Sequence, residues 1–426
     1  LATPAVPKGK PAHLTVVRQQ DATTHGTHVA GIAAGNGRTP AAPQPTAYVG
    51  MAPEADLIIV KYATRRGSLG NNPKVADAIR YIASRAAQLS KNCVLNISLG
   101  YGMLPGDGKT RLERTIDKLI AGVAPGTAIV ASAGNNAKAA IRARGTVPFR
   151  GRTELKIEVG NAAKREIEIG IWYGRLSAPH RFGLTLTPPS DTPSDEIGPE
   201  GGAILDFTTG PASGNTASIL GEVNNPDHAQ HSFLVSLEPG SAAQIAKGVW
   251  TITLFDRGAG GGTSARPFDA DLSKKHGARF ANNVLTESIM DIPATAEKVI
   301  SVASHVTRVS PTGSTGPATP TIAESSSRGP TPDGRKAPTI SAPGEYIFSA
   351  RPLAPKQKPY VANAGTSMAA PHVTGAIALM LEAKPTLVNS DIAKILKDTA
   401  EKPTGMDEKM WGGGMLNALK AVKMVE

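Results

Sequence analysis

Gly365-Thr366-Ser367-Met368-Ala369-Ala370-Pro371-His372 opens an apolar run that continues through Val373, Ile377, Leu379, Met380 and Leu381. Apolar residues fall on nearly every face of this run, so it reads as a buried helix. Pro371 is expected in its first turn, where a missing N–H costs nothing. Ser367 then stands at a helix N-terminus, beside unpaired amides and the positive end of the helix dipole. That setting suits an alkoxide nucleophile and the oxyanion it generates. An arbitrary serine in this place is an ordinary N-cap; the whole octet argues for more.

Composition bounds the partners. The 426 residues carry 46 Lys and Arg against 35 Asp and Glu, a net charge of +11. The basic residues are scattered, with no block and no stripe interleaved with aromatics, which argues against nucleic acid. Hydrophobic residues make up 40%, enough for a sizeable core, and 45 Gly with 34 Pro give a loop-rich chain. Cys93 stands alone in a strand-like run, so there is neither a disulfide framework nor a zinc pattern. No apolar run reaches membrane-spanning length. The chain starts at Leu1 without a signal peptide, which reads as a processed chain or a fragment.

Upstream, after a short strand candidate at Leu14–Val17, comes Asp21-Ala22-Thr23-Thr24-His25-Gly26-Thr27-His28-Val29-Ala30-Gly31. The threonine pair is expected to cap a helix of small residues reaching Gly35. His25 at its start meets a dipole that disfavours imidazolium, as a general base requires. A short buried strand is expected at Leu57–Lys61, then a helix at Val75–Leu89, a strand through Val94–Gly100, a helix at Arg111–Val123 and a strand at Ala128–Ser132. This alternation predicts an α/β fold with a doubly wound, mostly parallel sheet. Chemistry in such sheets gathers beyond the carboxyl ends of the strands. The turns at Ser98-Leu99-Gly100 and Gly134-Asn135 fall there. Asn135 offers a side-chain amide to an oxyanion.

The serine octet, the histidine segment and Ala131-Ser132-Ala133-Gly134-Asn135 together resemble the motifs of the subtilisin-like serine proteases. Further similar blocks are Asp291-Ile292-Pro293-Ala294, Ser325-Ser326-Ser327-Arg328-Gly329-Pro330, Lys336–Gly344 and Trp411–Asn417. The resemblance implies an endopeptidase with Ser367 as nucleophile, His25 as general base, Asn135 as oxyanion donor and His28 in packing. It implies that Ser98, Leu99 and Gly100 pair with the substrate backbone, with Ala133 and Gly134 in the wall of the first specificity pocket. It places Asp291 near that pocket's floor, where a carboxylate would favour Arg or Lys before the cleaved bond; a solvated Asp is the plainer reading. It also allows a cis Ile292–Pro293 bond. Protein or peptide substrates and an extracellular setting follow from the same likeness. No cofactor is required; calcium is common in the family, but no loop here has EF-hand spacing, so no metal residue is assigned.

Two features depart from the family. Short alternating runs at Glu154–Val159, Glu166–Trp172, Phe182–Leu186, Ala203–Phe207, Ser218–Val223, Phe233–Leu237 and Trp250–Phe255 follow Asn135. They predict an inserted all-β sandwich or jelly roll over residues 137–287, between core parts 1–136 and 288–426. A structural role is expected for it, with a lid or a carbohydrate-binding module as alternatives. Second, the family's catalytic aspartate lies on a strand well before the histidine. Here Asp21 is the sole Asp before His25, and it stands too close to be that residue. The chain is therefore read as lacking its first strand. A silent protease used for binding or signalling, or a substitute carboxylate from elsewhere, stays open.

Overall fold

The computed structural model describes residues 21–39, 48–61, 73–123, 125–160, 163, 165–175, 181–258, 263–273, 277–309, 320–352 and 358–426. The strand expected at Leu14–Val17 lies outside them. Helices α1 (His25–Ala34) and α2 (Pro73–Gln88) precede strand β1 (Cys93–Ile97), helix α3 (Arg111–Gly122) and strand β2 (Thr127–Ser132). Helix α3 starts where its sequence dictates: Thr110 and Glu113 form a reciprocal capping box.

Ten strands follow: β3 (Arg142–Val147), β4 (Arg152–Val159), β5 (Ile167–Arg175), β6 (Phe182–Thr187), β7 (Gly202–Asp206), β8 (Thr216–Asn225), β9 (Gln230–Glu238), β10 (Gly248–Asp256), β11 (Arg266–Leu272) and β12 (Ala278–Phe280). The chain then returns through β13 (Ile300–Val306), β14 (Thr321–Ile322), β15 (Ile340–Pro343), β16 (Ile347–Ala350) and β17 (Tyr360–Asn363). It ends in α4 (Thr366–Ala383), α5 (Asn389–Thr399), α6 (Glu408–Trp411) and α7 (Ala418–Lys423).

Strands β1, β2, β13 and β15 pair in parallel, with β14 antiparallel to β13. Side chains alternate across β2 as a strand requires. Ile129 and Ala131 pack with residues of α2 and α3, while Ala128 and Val130 pack with α4 and α5. Helices therefore cover both faces. The segment at Leu57–Lys61 corrects the expectation: it is no strand, and Leu57 and Ile59 are 54% and 65% exposed. A strand needs a ladder partner, and among the described residues neither this segment nor the outer edge of β1 has one.

Strands β3 to β12 form two antiparallel sheets, ordered β3-β11-β5-β9-β8-β7 and β12-β4-β10-β6, around one core. Every alternating run noted in this region lies within or largely within a strand. Three strands, β3, β11 and β12, were not expected. Phe268, Ala270 and Leu272 do alternate inward on β11, but Pro267, Asp269 and Asp271 obscure the pattern. No described helix is long and apolar enough to cross a membrane.

Candidate active site

Ser367 is the second residue of α4, after Gly365 at φ 131°, a backbone angle open chiefly to glycine. A Cβ on Gly365 would also lie 3.1 Å from the Asn135 amide nitrogen. Pro371 is the sixth residue of the helix, not in its first turn as expected. Its missing N–H leaves the Ser367 carbonyl, four residues back, without its helical donor. The Ser98 hydroxyl supplies the bond instead, donating to Ser367 O at 2.9 Å. That hydroxyl in turn accepts from Asn96 Nδ2 at 2.9 Å, and Asn96 Oδ1 accepts from Thr374 at 3.0 Å. A polar chain thus fixes α4 against β1. The Ser367 hydroxyl itself donates to Ser98 O at 3.3 Å.

Asn135 is anchored by its oxygen. Its Oδ1 accepts from the backbone and hydroxyl of Thr366 at 3.0 and 3.2 Å, and the Thr366 hydroxyl accepts from Gly134 N at 3.1 Å. The amide nitrogen of Asn135 has no partner among the described residues. It stands beside the opening turn of α4, whose amides lack helical acceptors. Sequence reasoning quoted Thr366 only as part of its motif and Ser98 only for its backbone, and missed what their hydroxyls hold. Their hydroxyls act through contacts hundreds of residues apart, which no local pattern encodes.

His25 starts α1, which packs on α4. The threonine cap expected there is absent: Thr24 is left-handed at φ 69° and its side chain makes no capping bond. Asp21 caps instead, accepting from Thr23 N at 2.9 Å and Thr27 N at 2.8 Å, and from both hydroxyls. An ionised carboxylate satisfies two helix-entry donors where a hydroxyl satisfies one. Burial raises the Asp21 pKa, but these bonds outweigh it and bring it to about 2. Burial lowers the His25 pKa below 6.5, opposed by the Asp21 charge. The His25 ring hydrogen-bonds neither Ser367 nor any other described residue. His28 is fully buried, with Nε2 3.0 Å from the carbonyl oxygens of Ile347 and Val361. His372, at the end of the octet, is pushed down to about 4 by burial and donates from Nδ1 to Met368 O at 2.9 Å.

Gly100 and Gly134 come together around Asp291. A Cβ on Gly134 would lie 2.5 Å from the Asp291 carboxylate, and one on Gly100 would collide with it too. Asp291 is 2% exposed, which corrects the solvated reading. Its Oδ1 accepts from Asn136 Nδ2 at 2.8 Å, and its N–H donates to Ala133 O at 2.9 Å. Tyr101 and Ile292 exchange two backbone bonds alongside, and the Ile292–Pro293 bond is cis. Ser98 and Ala133 are buried, whereas Leu99 and Gly100 face solvent. Among the described residues, no group of three or more His, Cys, Asp or Glu is placed to hold a metal ion.

Known proteins resemble this chain in sequence and in fold. The chain is 25% identical to the minor extracellular protease Vpr of Bacillus subtilis (strain 168) over 432 residues, covering 95% of this chain and 46% of that one. It is 37% identical to the serine protease AprX of the same organism over 112 residues, covering 24% of this chain and 25% of the relative. The chain thus spans less than half the length of either relative. The CspB protease of Clostridium perfringens shares the fold, with a TM-score of 0.72 at 22% identity, over 98% of this chain and 84% of that one. The family model of the subtilases matches residues 11–227 and 267–414, and the chain belongs to that family.

Proposed function

We propose that this domain is a serine endopeptidase acting through an acyl-enzyme on Ser367. One observation carries the reading: Asn135 is held by its oxygen so that its amide nitrogen is free beside the Ser367 end of α4. In the proposed step, Ser367 Oγ attacks the peptide carbonyl and His25 takes the hydroxyl proton. The Asn135 amide and the Ser367 backbone N–H hold the oxyanion. His25 then gives the proton to the leaving amine, and water cleaves the ester by the same route reversed. Burial favours the neutral form of His25, as a base requires.

The substrate is read as a protein or peptide laid along Ser98, Leu99 and Gly100, its side chain entering between Gly100 and Ala133-Gly134. Asp291, bracketed by the two glycines, would favour Arg or Lys there. The third catalytic group is read as a carboxylate on a strand added to the outer edge of β1. Asp21 does not fill that role, because Thr23 and Thr27 take both of its oxygens. Residues 137–287 are read as an inserted sandwich of jelly-roll type with a structural role, between core parts 1–136 and 288–426. An extracellular setting, a substrate other than nucleic acid or membrane, and independence of any cofactor complete the reading.

A fluorophosphonate probe tests the chemistry. Ser367 is expected to be labelled, Ser367→Ala to abolish labelling, and Asn135→Ala to slow it by roughly 10²–10³, the magnitude found for such a donor in subtilisin. Absence of labelling, with tight binding of a partner protein, would favour a silent scaffold. Cleavage profiling with peptides carrying Arg, Lys, Phe or Leu before the scissile bond tests Asp291; equal rates for all four sink that assignment.

A further inference from the structure

The chain that leaves Ser98–Gly100 does not hold its own shape. Residues 101–110 include Met103 at φ 63°, Gly106 at φ 65° and Gly108 at φ 76°. A left-handed methionine is uncommon and persists only where its surroundings enforce it. The enforcing contacts come from the inserted strands. Asp271 of β11 accepts from Met103 N at 2.9 Å. It also pairs with Arg142 of β3 at 3.3 Å, with side chains 1% and 6% exposed. A Cβ on Gly102 would sit 3.0 Å from the same carboxylate. Farther along, Gln230 donates to the buried Asp107 at 3.1 Å. The Asp227 carbonyl accepts from Arg111 N at 2.5 Å, and the Pro226 carbonyl from Arg114 at 3.2 Å. Two parts of the two-sheet unit, Asp271 of β11 and Gln230 at the start of β9, therefore hold the ten-residue connection, Arg142 of β3 backs Asp271, and the turn before β9 bonds the first turn of α3.

We propose that the inserted unit braces the substrate-pairing segment, and that Asp271 is the positioning residue that sets its register through Met103. The inference rests on the reading of Ser98–Gly100 as the strand that receives substrate. Its logic is mechanical. A backbone that pairs with a peptide over several residues must present its carbonyls and amides in fixed register, and ordering it on binding would cost affinity. The brace meets that cost in advance. It acts on extended substrates and leaves the chemistry at Ser367 alone. A hinged lid or a separate binding module would need a looser seam than a buried ion pair bonded to core backbone.

The test uses the full chain carrying Ser367→Ala, so that affinity is read without turnover. The probes are acetylated tetrapeptide amides ending in Arg or Phe, each compared with the matching single-residue amide by calorimetry. The variant is Arg142→Met with Asp271→Leu, since exchanging a buried pair for apolar residues of similar size often preserves folding. Expected is a loss of about fivefold in tetrapeptide affinity, equivalent to one lost hydrogen bond. The single-residue amides should bind unchanged, and amide exchange at residues 101–110 should accelerate. Gln230→Ala, which leaves the buried pair intact, should shift both readouts in the same direction and by less. Tetrapeptide binding and exchange unchanged in both variants would overturn the brace. Failure of either tetrapeptide to bind the chain without these changes would instead overturn the reading of Ser98–Gly100.

Discussion

The sheet beneath the site and the two antiparallel sheets of β3 to β12 are built from different materials. Near the opening turns of α4 many buried residues are small, among them Ala128, Ala131, Ala133, Ala369 and Ala370, while Val373, Ile377 and Met380 farther along pack with Ile300 and Val302. Around β3 to β12 lie the six largest fully buried side chains of the described residues, Trp250, Tyr173, Phe182, Phe233, Phe268 and Phe280. Small side chains let the backbone of α4 come close enough for Ser98, Asn135 and Thr366 to bond across it. Large ones remove the most apolar area from water, about 150–250 Å² each. Positioning and stabilisation are thus divided between two regions of one chain, and each can be attacked separately.

The largest effect should come from the core between the two antiparallel sheets. Trp250 is fully buried and donates from Nε1 to Ala246 O at 3.0 Å. Trp250→Ala should cost about 3–5 kcal/mol, the range for deleting a buried aromatic. Denaturant unfolding measures it, and Ser367 labelling under folding conditions should stay within about twofold of the parent, since additivity holds between distant sites. A loss below about 1 kcal/mol would break the comparison, because this core would then be loosely packed.

The opposite signature is expected at Gly375 in α4. A Cβ there meets Ala33 O at 2.7 Å and collides with the Met51 side chain. Alanine is the better helix former by about 1 kcal/mol, which offsets much of an overpacking cost of about 1–3 kcal/mol. Gly375→Ala should therefore lower stability by only about 1 kcal/mol. Yet α4 must shift against α1, and these helices carry Ser367 and His25. Misplacement by an ångström costs up to about 10²-fold, so labelling should fall by about 10–10². Equal losses of stability and labelling would show that the two regions do not divide their tasks.

The division also explains what could be read from sequence. The seven strands from β4 to β10 were legible because a strand's inward face repeats every second residue, as in Leu155, Ile157 and Val159 or Trp250, Ile252 and Leu254. The pattern failed at β11, where proline and two aspartates interrupt it; one of them, Asp271, is buried on the face away from the core of the two sheets, where it meets Arg142. The core was legible through short blocks whose residue types are dictated by close packing. Contacts between blocks were not. The freed carbonyl of Ser367 and its donor Ser98 are 269 positions apart. The capping role of Asp21 was missed because Thr23 and Thr24 offered the commoner cap. Leu57–Lys61 looked like a strand because its composition is apolar, but composition carries no ladder partner. The roles of His25, Ser367 and Asn135 were read from the motifs that carry them, whereas the anchoring of Asn135 by Thr366 was not.

The smallest expected effect concerns the charge beside His25. Burial favours its neutral form and Asp21 favours imidazolium, with burial the larger influence. A folded pKa below 6.5 means that the stability tied to neutral His25 is present above pH 6.5. It is lost as pH falls through the folded value. The labelling rate should accordingly fall on an acid limb centred below pH 6.5. Asp21→Asn removes the charge that holds the pKa up, so the limb should move farther down. The helix cap weakens at the same time, because an NH2 donor replaces one of the two acceptor oxygens. Asp21 itself stays ionised throughout this range, since its stabilising ionisation is lost only between pH 3.8 and about 2. A limb at or above pH 6.5 would mean that the carboxylate outweighs burial, and the position of Asp21 would then matter to catalysis as well as to the helix it caps.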